Sequence, residues 1–502
     1  MYKEEYITVE KIEKTFNKEE KENIEYFDEN TNEWKKYNKE NFIVSGGAFP
    51  SAEKAEAPIV LISLVSDSRI VTFGEKKYGG TEKNLTYNHC DNEKKLLMQF
   101  FKYMYSNPCD VLSGYNIYNF DIPYIINRAK KLFGEKSGIW NYLSPIKIVK
   151  IWKSKTDEMK VDIAGVTILD FMDLYKWYSP NNLESYKLDF VAKFELGEGK
   201  VDFTEYESLM KLYHNNWDKY VEYNIKDCTL IQDLENKLGY IKLVQALSLL
   251  TKCPMKYYNT MTNLIEGAML TYFRRNDLCA PCLLGGTQEY FPAAYVKEPI
   301  KGMHEWVIDI DIASSYPSHI ITLNMSIETY VGRILNIQES DIIYHTKNHN
   351  FPRFEMMTNN GYKTFEYSKL ERFNKIVERG LVAIAPCGSI FSTTEPGVIS
   401  TVERNIYAKR KEVKKEMREI KKATPDSERI QQLFSLQWAI KIVLNAMFGI
   451  LAVPYSRYFN INIAEAITSC GRHTIKEGER FTNELLNDIL QNDELVNIIK
   501  NI

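Results

Sequence analysis

The chain has 502 residues, 44% of them hydrophobic and 26% charged, with a net charge of −3. These values describe a soluble globular protein of about three domains, and the near-neutral balance still leaves room for a local basic groove. The opening M-Y-K-E-E-Y lacks the apolar stretch of a signal peptide, and the longest mostly apolar run, 57–65, is too short to span a bilayer.

Residues 1–40 are rich in Lys, Glu and Asn, and 6–9 and 25–30 read as short strands. Residues 57–74 read as two strands, P-I-V-L-I-S-L-V and R-I-V-T-F, joined by Ser66-Asp67-Ser68. A helix is expected over 92–107, a buried strand over 110–114, and a β-branched stretch over 148–169 with a hairpin turn near 154–158. Residues 174–194 carry Tyr and polar side chains, then comes the Gly-punctuated loop E-L-G-E-G-K, and 209–238 reads as one long helical region. Strands alternating with helices give an α/β first half; the second half reads as α+β followed by two helices. The eight cysteines are scattered, and the lone C-x-x-C at Cys279–Cys282 reads as two core thiols rather than a zinc site. Unpaired thiols fit a reducing compartment.

The most informative stretch is V-I-D-I-D-I-A-S-S-Y-P-S at 307–318. Its period-2 alternation predicts a strand that carries Asp311, with Asp309 on the same face, to a turn and a helix start. A carboxylate beside small hydroxyls, free N–H groups and a ring suits a metal-bound triphosphate. Further on, A-K-R-K-E-V-K-K-E places Arg410 and Lys414 four apart on one helix face, and K-I-V-L-N-A-M-F-G does the same for Lys441 and Asn445. Taken alone, such a Lys/Arg/Glu helix reads as a solvated face with i,i+4 salt pairs.

Together these segments closely resemble the signatures of family B DNA polymerases, D-x-x-S-L-Y-P-S and K-x-x-x-N-x-x-Y-G, with Ser315 in place of Leu and Phe448 in place of Tyr. The resemblance implies that Asp311 and the backbone carbonyl of Ile312 hold metal. Ser314 and Ser315 would meet the triphosphate tail, and Tyr316 would lie under the sugar and exclude ribose. Arg410, Lys414 and Lys441 would neutralise phosphates, and Asn445 would place the nucleotide. In the first half, S-G-Y-N-I-Y-N-F-D-I-P-Y-I-I-N-R, with Asn116, Phe120 and Asp121, resembles the second exonuclease motif of the family's proofreading domains. Y-N-I-K-D, with Tyr223 and Asp227 one turn apart, resembles the third, and I-L-D-F-M-D-L-Y between them also looks familial. By that resemblance Asp121 and Asp227 are catalytic metal ligands and Tyr223 orients the attacking water. The wording F-E-L-G-E-G-K and F-P-A-A-Y-V-K-E-P resembles the branch used by T-even-like phages. The first exonuclease motif should be D-x-E on a strand, yet its positions hold Asn41 and Ile43.

The resemblance implies α/β plus α+β multidomain architecture, a ribonuclease H-like exonuclease domain followed by an incomplete palm and a two-helix fingers domain. The expected boundaries are a shortened N-terminal domain over 1–40, the 3′–5′ exonuclease-like domain over 41–242, and a connecting segment over 243–288. The first part of the palm follows over 289–396, the fingers over 397–450, and a palm return over 451–502. The D-T-D-S carboxylate motif does not occur in the sequence, and the palm return stops before its expected place. The expected function is template-directed nucleotidyl transfer from dNTPs with Mg²⁺ at two-metal sites incomplete in this chain, and impaired proofreading. Expected partners are primer–template DNA, dNTPs, a second polypeptide carrying the D-T-D-S hairpin and thumb, and a sliding clamp. No membrane is implied, and the expected location is the host cytoplasm or nucleoid. The rival readings are an inactive nucleic-acid-binding remnant and a stand-alone 3′–5′ exonuclease.

Overall fold

The computed structural model describes residues 25–28, 33–36, 51–66, 69–82, 84–153, 159–206, 208–282, 290–303, 309–358, 361–424 and 428–490. Asn41, Ile43 and the strand expected at 6–9 lie outside them. The chain divides into two compact units, Met1–Ile241 and Lys242–Ile502.

In the first unit, β1 (Glu25–Asp28) pairs antiparallel with β2 (Glu33–Lys36). Strand β3 (Leu61–Ser66) pairs antiparallel with β4 (Arg69–Gly74), and β4 runs parallel to β5 (Leu85–His89). The sequence pattern starts the first of these strands at 58. Instead Ile59 N–H donates to Glu93 Oε1 (2.7 Å), outside the ladder. Glu93 also takes Arg128 through Nε and Nη2 (2.7 and 2.8 Å), and Arg128 Nη1 donates to the carbonyls of Ala55 and Glu56. This half-buried ion pair thus staples the approach to β3 onto the helices beneath it.

Helix α1 (Glu93–Ser106) is capped by Asn92, whose side chain accepts from Lys95 N–H. Its Leu96, Leu97, Phe100 and Phe101 pack with Phe73 and with Ile126 of α2 (Ile122–Phe133) to form the core. Strand β6 (Val111–Gly114) runs parallel to β9 (Thr167–Asp170). Strands β7 (Val149–Lys153) and β8 (Met159–Ile163) form the expected antiparallel hairpin, whose turn lies outside the described residues. Helices α3 (Phe171–Tyr178) and α4 (Leu188–Leu196) follow. The helix expected over 209–238 is two, α5 (Leu209–Asn215) and α6 (Trp217–Leu238). Asn216 leaves helical geometry (φ −145°, ψ 85°), and its side chain caps α6 by accepting from Lys219 N–H.

Helix α7 (Tyr240–Thr251) carries the chain into the second unit, where α8 (Met261–Arg275) follows. A five-stranded antiparallel sheet has the order β12-β11-β10-β14-β13. Its strands are β10 (Tyr330–Leu335), β11 (Phe354–Thr358), β12 (Gly361–Phe365), β13 (Val382–Ile384) and β14 (Ser389–Ser392). Helices α10 (Glu339–Asn348) and α11 (Tyr367–Glu378) contribute Ile342, Leu370, Phe373 and Val377 to one core with Ile334, Phe354 and Ile390 of the sheet. The short α9 (Ser315–Thr322) precedes the sheet.

Two long helices, α12 (Val398–Ala423) and α13 (Glu428–Ala452), form a hairpin. Val413, Leu433, Ile440 and Leu444 form its core, and Arg429 at the start of α13 pairs with Glu416 near the end of α12. That pairing makes the helices antiparallel. The segment Arg429–Ala452 is long and apolar enough to cross a membrane by length and composition, unlike the run at 57–65, but half of it is buried in this fold, as expected of a core helix. Helix α14 (Ile461–Leu490) completes the unit, joined to β10 by the Arg333–Glu465 ion pair (2.5 Å).

Two sequence expectations fail here. Residues 309–312 are not a strand and are exposed, and 304–308 lie outside the described residues. An alternating apolar pattern makes a strand only beside a partner, and among the described residues none bonds to this segment. Cys279 and Cys282 are exposed free thiols rather than core thiols.

Candidate functional site

In the first unit a cleft is lined by Asp121, Asn116, Phe120, Lys200, Asn224 and Asp227 among others. Asp121 ends a π-helical turn (Ile117–Asp121) that begins after Asn116 in the left-handed region (φ 61°). The turn is closed by Ile122 N–H donating to the Ile117 carbonyl, and the N–H groups at its start need an outside acceptor. Asp170, at the end of β9, is that acceptor: it accepts from Asn116 N–H (3.0 Å) and Tyr118 N–H (3.2 Å), and from Met172 N–H (3.0 Å) as the cap of α3. Burial pushes the Asp121 carboxyl up to about 6, with Asp170 and Asp227 adding to the rise.

Tyr223 and Asp227 lie one turn apart on α6 and face Lys200. The Lys200 ammonium donates to Asp227 Oδ2 (2.7 Å) and to the Tyr223 hydroxyl (3.1 Å). Burial opposes the charge on Lys200, but Asp227 and Tyr223 outweigh it and raise its pKa. Burial raises the Asp227 carboxyl, and Lys200 offsets part of that rise. Asp227 Oδ1 is buried and has no partner. The turn at Gly199 makes this arrangement possible: a Cβ there would lie 2.4 Å from Asp189 Oδ1, the atom that accepts Lys200 N–H. Sequence reasoning missed Lys200 and the capping role of Asp170. The adjacent glycines of E-L-G-E-G-K were the available signal for the first.

In the second unit Ser314 occupies the N-cap position of α9 in the left-handed region (φ 55°) without a side-chain capping bond, a conformation that costs a non-glycine residue energy. Ser315 Oγ pairs with His319 Nε2 (3.1 Å), and Arg410 Nη1 reaches Ser314 Oγ at 3.5 Å. The Tyr316 ring lies 5.0 Å from Phe448 on α13. It is backed by Gly471 of α14, where a Cβ would come within 3.1 Å of Tyr316 Cε1. The cations converge beside these rings. Arg410, partial burial, Arg418 and Lys441 hold the Lys414 ammonium below its ordinary pKa. The Arg410 Nε is buried without a partner. Lys441 and Asn445 are exposed on the same face of α13 as Phe448. Asp311 and Ile312 are exposed at the approach to α9.

One unit thus holds a carboxylate-lined cleft, with Asp170 buried, Asp227 partly buried and Asp121 exposed, and the other a strained Ser-Ser-Tyr turn beside a cationic helical hairpin. The sequence pattern described as DNA polymerase family B, exonuclease domain matches residues 40–191, and that described as DNA polymerase family B matches 252–500. The chain belongs to the family B DNA polymerases. It is 26% identical over 527 residues to the DNA-directed DNA polymerase of Escherichia phage RB69, covering 89% of this chain and 54% of that protein. The corresponding enzyme of Enterobacteria phage T4 is 26% identical over 530 residues, covering 90% and 55%. The DNA polymerase catalytic subunit of Alcelaphine herpesvirus 1 is 26% identical over 493 residues, covering 91% and 43%. The chain therefore spans about half the length of these relatives.

Polymerase and exonuclease domains of this family are generally metal-dependent. Among the described residues no group of three His, Cys, Asp or Glu side chains could hold a metal ion. In the nuclease-like pocket the donors left are the orphaned Asp227 Oδ1 and the Asp121 carboxylate, because Asp170 spends its oxygens on backbone N–H groups. That set does not fit two divalent ions. Asp311 has only Asp309 near it in sequence, which likewise falls short of a two-metal site.

Proposed function

We propose that this chain is the nucleotide- and template-engaging portion of a family B DNA-directed DNA polymerase, acting in template-directed nucleotidyl transfer from dNTPs during replication. One observation carries the reading: Arg410, Lys414, Arg418 and Lys441 share one Coulombic neighbourhood without a carboxylate among the groups that shift Lys414. Crowded cations cost free energy unless an anion joins them, and a triphosphate supplies up to four negative charges. Arg410, with its planar guanidinium, would take a phosphate edge through two parallel bonds. Lys414 and Lys441 would act as point charges. The Ser314 and Ser315 hydroxyls stand where the same tail would run. The Tyr316–Phe448 ring pair supplies a flat wall for the sugar, and Asn445 a polar group beside it.

Asp311 would hold Mg²⁺ through its carboxylate together with the Ile312 carbonyl. With the ligands that this chain lacks, such a site would supply charge stabilisation to the primer hydroxyl and to the leaving pyrophosphate. The remaining ligands would come from a second polypeptide, or a further part of the same one, that pairs with 309–312 and brings the D-T-D-S carboxylates and thumb. Exposed Ile310 and Ile312 favour such a partner, because an apolar segment without a paired ladder is unfavourable in water. Primer–template DNA is the macromolecular substrate, and the enzyme works in the compartment where the genome is copied. Proofreading is impaired in this reading: Asn41 and Ile43 supply no carboxylates, and Lys200 occupies one oxygen of Asp227.

The test is primer extension by the purified chain, alone and mixed with the D-T-D-S-bearing partner. Extension is expected only in the mixture, with weak digestion of a labelled single strand by either preparation. Robust extension by the chain alone would refute the need for a partner. Absence of dNTP binding by the chain would refute the nucleotide reading.

A further inference from the structure

The exposed face of α13 does not stop at Lys441. One turn toward the hairpin tip stands Trp438, and one turn further Phe434, which is 45% exposed. The two rings stack at 25° with centroids 6.2 Å apart. The Lys441 ammonium sits over the Trp438 ring, 5.4 Å from its centroid. From Lys441 back to Phe434 the helix rises about 10 Å. The same face therefore reads Phe434, Trp438, Lys441, Asn445, Phe448 from tip to base, with the Arg410–Lys414–Arg418 wall alongside.

The triphosphate reading uses the base-proximal half of this stripe. A nucleotide gripped by Lys441 with its sugar against Tyr316 and Phe448 points its base away from Trp438. Its base would lie at the Phe448 end of the stripe, which leaves the rings at 438 and 434 without a base of their own. An exposed Phe434 stacked on a half-buried Trp438 next to a cation cluster is an unusual use of a helix face that reaches solvent, where polar residues cost nothing. The pairing of flat rings with adjacent cations complements a chain whose bases stack and whose phosphates need neutralising.

We propose that Trp438 and Phe434 form a base-stacking platform for single-stranded DNA on the outer part of the helical hairpin, with Lys441 and Arg418 meeting the adjoining phosphates. The inference rests on the phosphate-grip reading of Lys441. A single strand suits the platform better than a duplex because only unpaired bases offer free faces. It gives the hairpin a hold on unpaired DNA that adjoins its hold on the incoming nucleotide and shares Lys441 with it.

The experiment uses the full chain and four ligands: a fluorescent oligothymidylate 10-mer, an abasic 10-mer of the same length, inorganic tripolyphosphate and ATP. A 5-iodouracil version of the 10-mer is photo-crosslinked and the adduct mapped by mass spectrometry. The adduct is expected on Trp438 or Phe434. Trp438→Ala and Trp438→Leu should each weaken oligothymidylate binding about five- to a hundredfold. Abasic-strand and tripolyphosphate binding should stay unchanged. Trp438→Leu keeps the apolar bulk, so a loss shared by both variants reports the π face rather than misfolding. Unchanged oligothymidylate affinity with the adduct elsewhere overturns the proposal. So does an equal loss for tripolyphosphate, which makes Trp438 a packing residue of the phosphate grip, and so does a loss for ATP alone, which makes the platform a free-nucleotide site. Failure of the underlying reading is separately visible as tripolyphosphate binding unaffected by Lys441→Ala.

Discussion

The two charged regions of this molecule are built on opposite electrostatic plans. In the nuclease-like pocket the charges answer one another: Lys200 spans Asp227 and Tyr223, and Asp170 is consumed by three backbone N–H groups. On the helical hairpin Arg410, Arg418 and Lys441 crowd Lys414 and lower its readiness to stay protonated. The acids beside the cluster in sequence are engaged elsewhere, Glu412 by Lys409 and Glu416 by Arg429, and the buried Glu403 on α12 provides no counter-charge. It is fully buried with both oxygens unpartnered, and burial pushes its carboxyl up to about 9, so it is neutral at pH 7. A self-compensated site gains little by taking up an ion, whereas an uncompensated one is poised for an anion. On the proposed reading, the residues that would hold a nucleotide are charged and open, whereas Asp227 in the nuclease-like pocket is already engaged by Lys200.

Lys441→Ala and Arg410→Ala should each weaken dNTP binding by about ten- to a hundredfold, the range for losing one charge-assisted contact. Calorimetric titration at two salt concentrations is the check. Binding should also weaken with salt, and the exposed control Lys421→Ala should change neither value. Equal behaviour of all three variants would place the cations on unrelated faces.

In the pocket, removing Lys200 should leave Asp227 half-buried without its partner. Lys200→Met should cost about 1–3 kcal/mol of stability, less than a fully buried pair because both side chains keep about a quarter of their exposure. Adding Asp227→Asn should restore part of the loss. A double-mutant cycle by urea denaturation measures this, and additive effects would deny the compensation described here.

Glu403 predicts a pH dependence of defined sign. A carboxyl raised in the folded state binds its proton more tightly there than in the unfolded chain. Its contribution is therefore fully present below the ordinary value of 4.5 and is lost as pH rises toward about 9. The thermal midpoint of the wild-type chain should fall across that window, and Glu403→Gln should flatten the fall. A wild-type and variant difference that does not vary with pH would mean that Glu403 finds a partner.

The smallest effect belongs to the exposed Arg429–Glu416 pair at the hairpin tip. Glu416→Ala should change stability by no more than about 1 kcal/mol. A larger loss would mean that the tip, and not the apolar seam, holds the hairpin.

Much of this arrangement is legible in the sequence where a rule of spacing applies. Arg410 and Lys414, Lys441 and Asn445, and Tyr223 and Asp227 each sit four apart, and helical geometry then puts each pair on one face. The Asn92 cap and the 149–163 hairpin follow from local chemistry in the same way. What depends on tertiary partners was not legible. Lys200 reaches Asp227 through a loop whose path is set by the close approach of Gly199 to Asp189. The π turn before Asp121 exists because Asp170 arrives from a strand distant in sequence. Asn216 splits a continuous helical pattern by capping the second half. The D-I-D-I pattern at 309–312 has the right alternation and no strand to pair with among the described residues.

The central claim, that the hairpin holds unneutralised positive charge awaiting a triphosphate, is tested most directly at Lys414. The lysines can be reductively ¹³C-methylated, with the Lys414 resonance assigned by loss in Lys414→Arg, and its titration followed by NMR with and without tripolyphosphate. The account predicts a Lys414 pKa below that of ordinary surface lysines in the free chain, rising when tripolyphosphate binds. A free-chain titration at the ordinary lysine value, unmoved by tripolyphosphate, would contradict it.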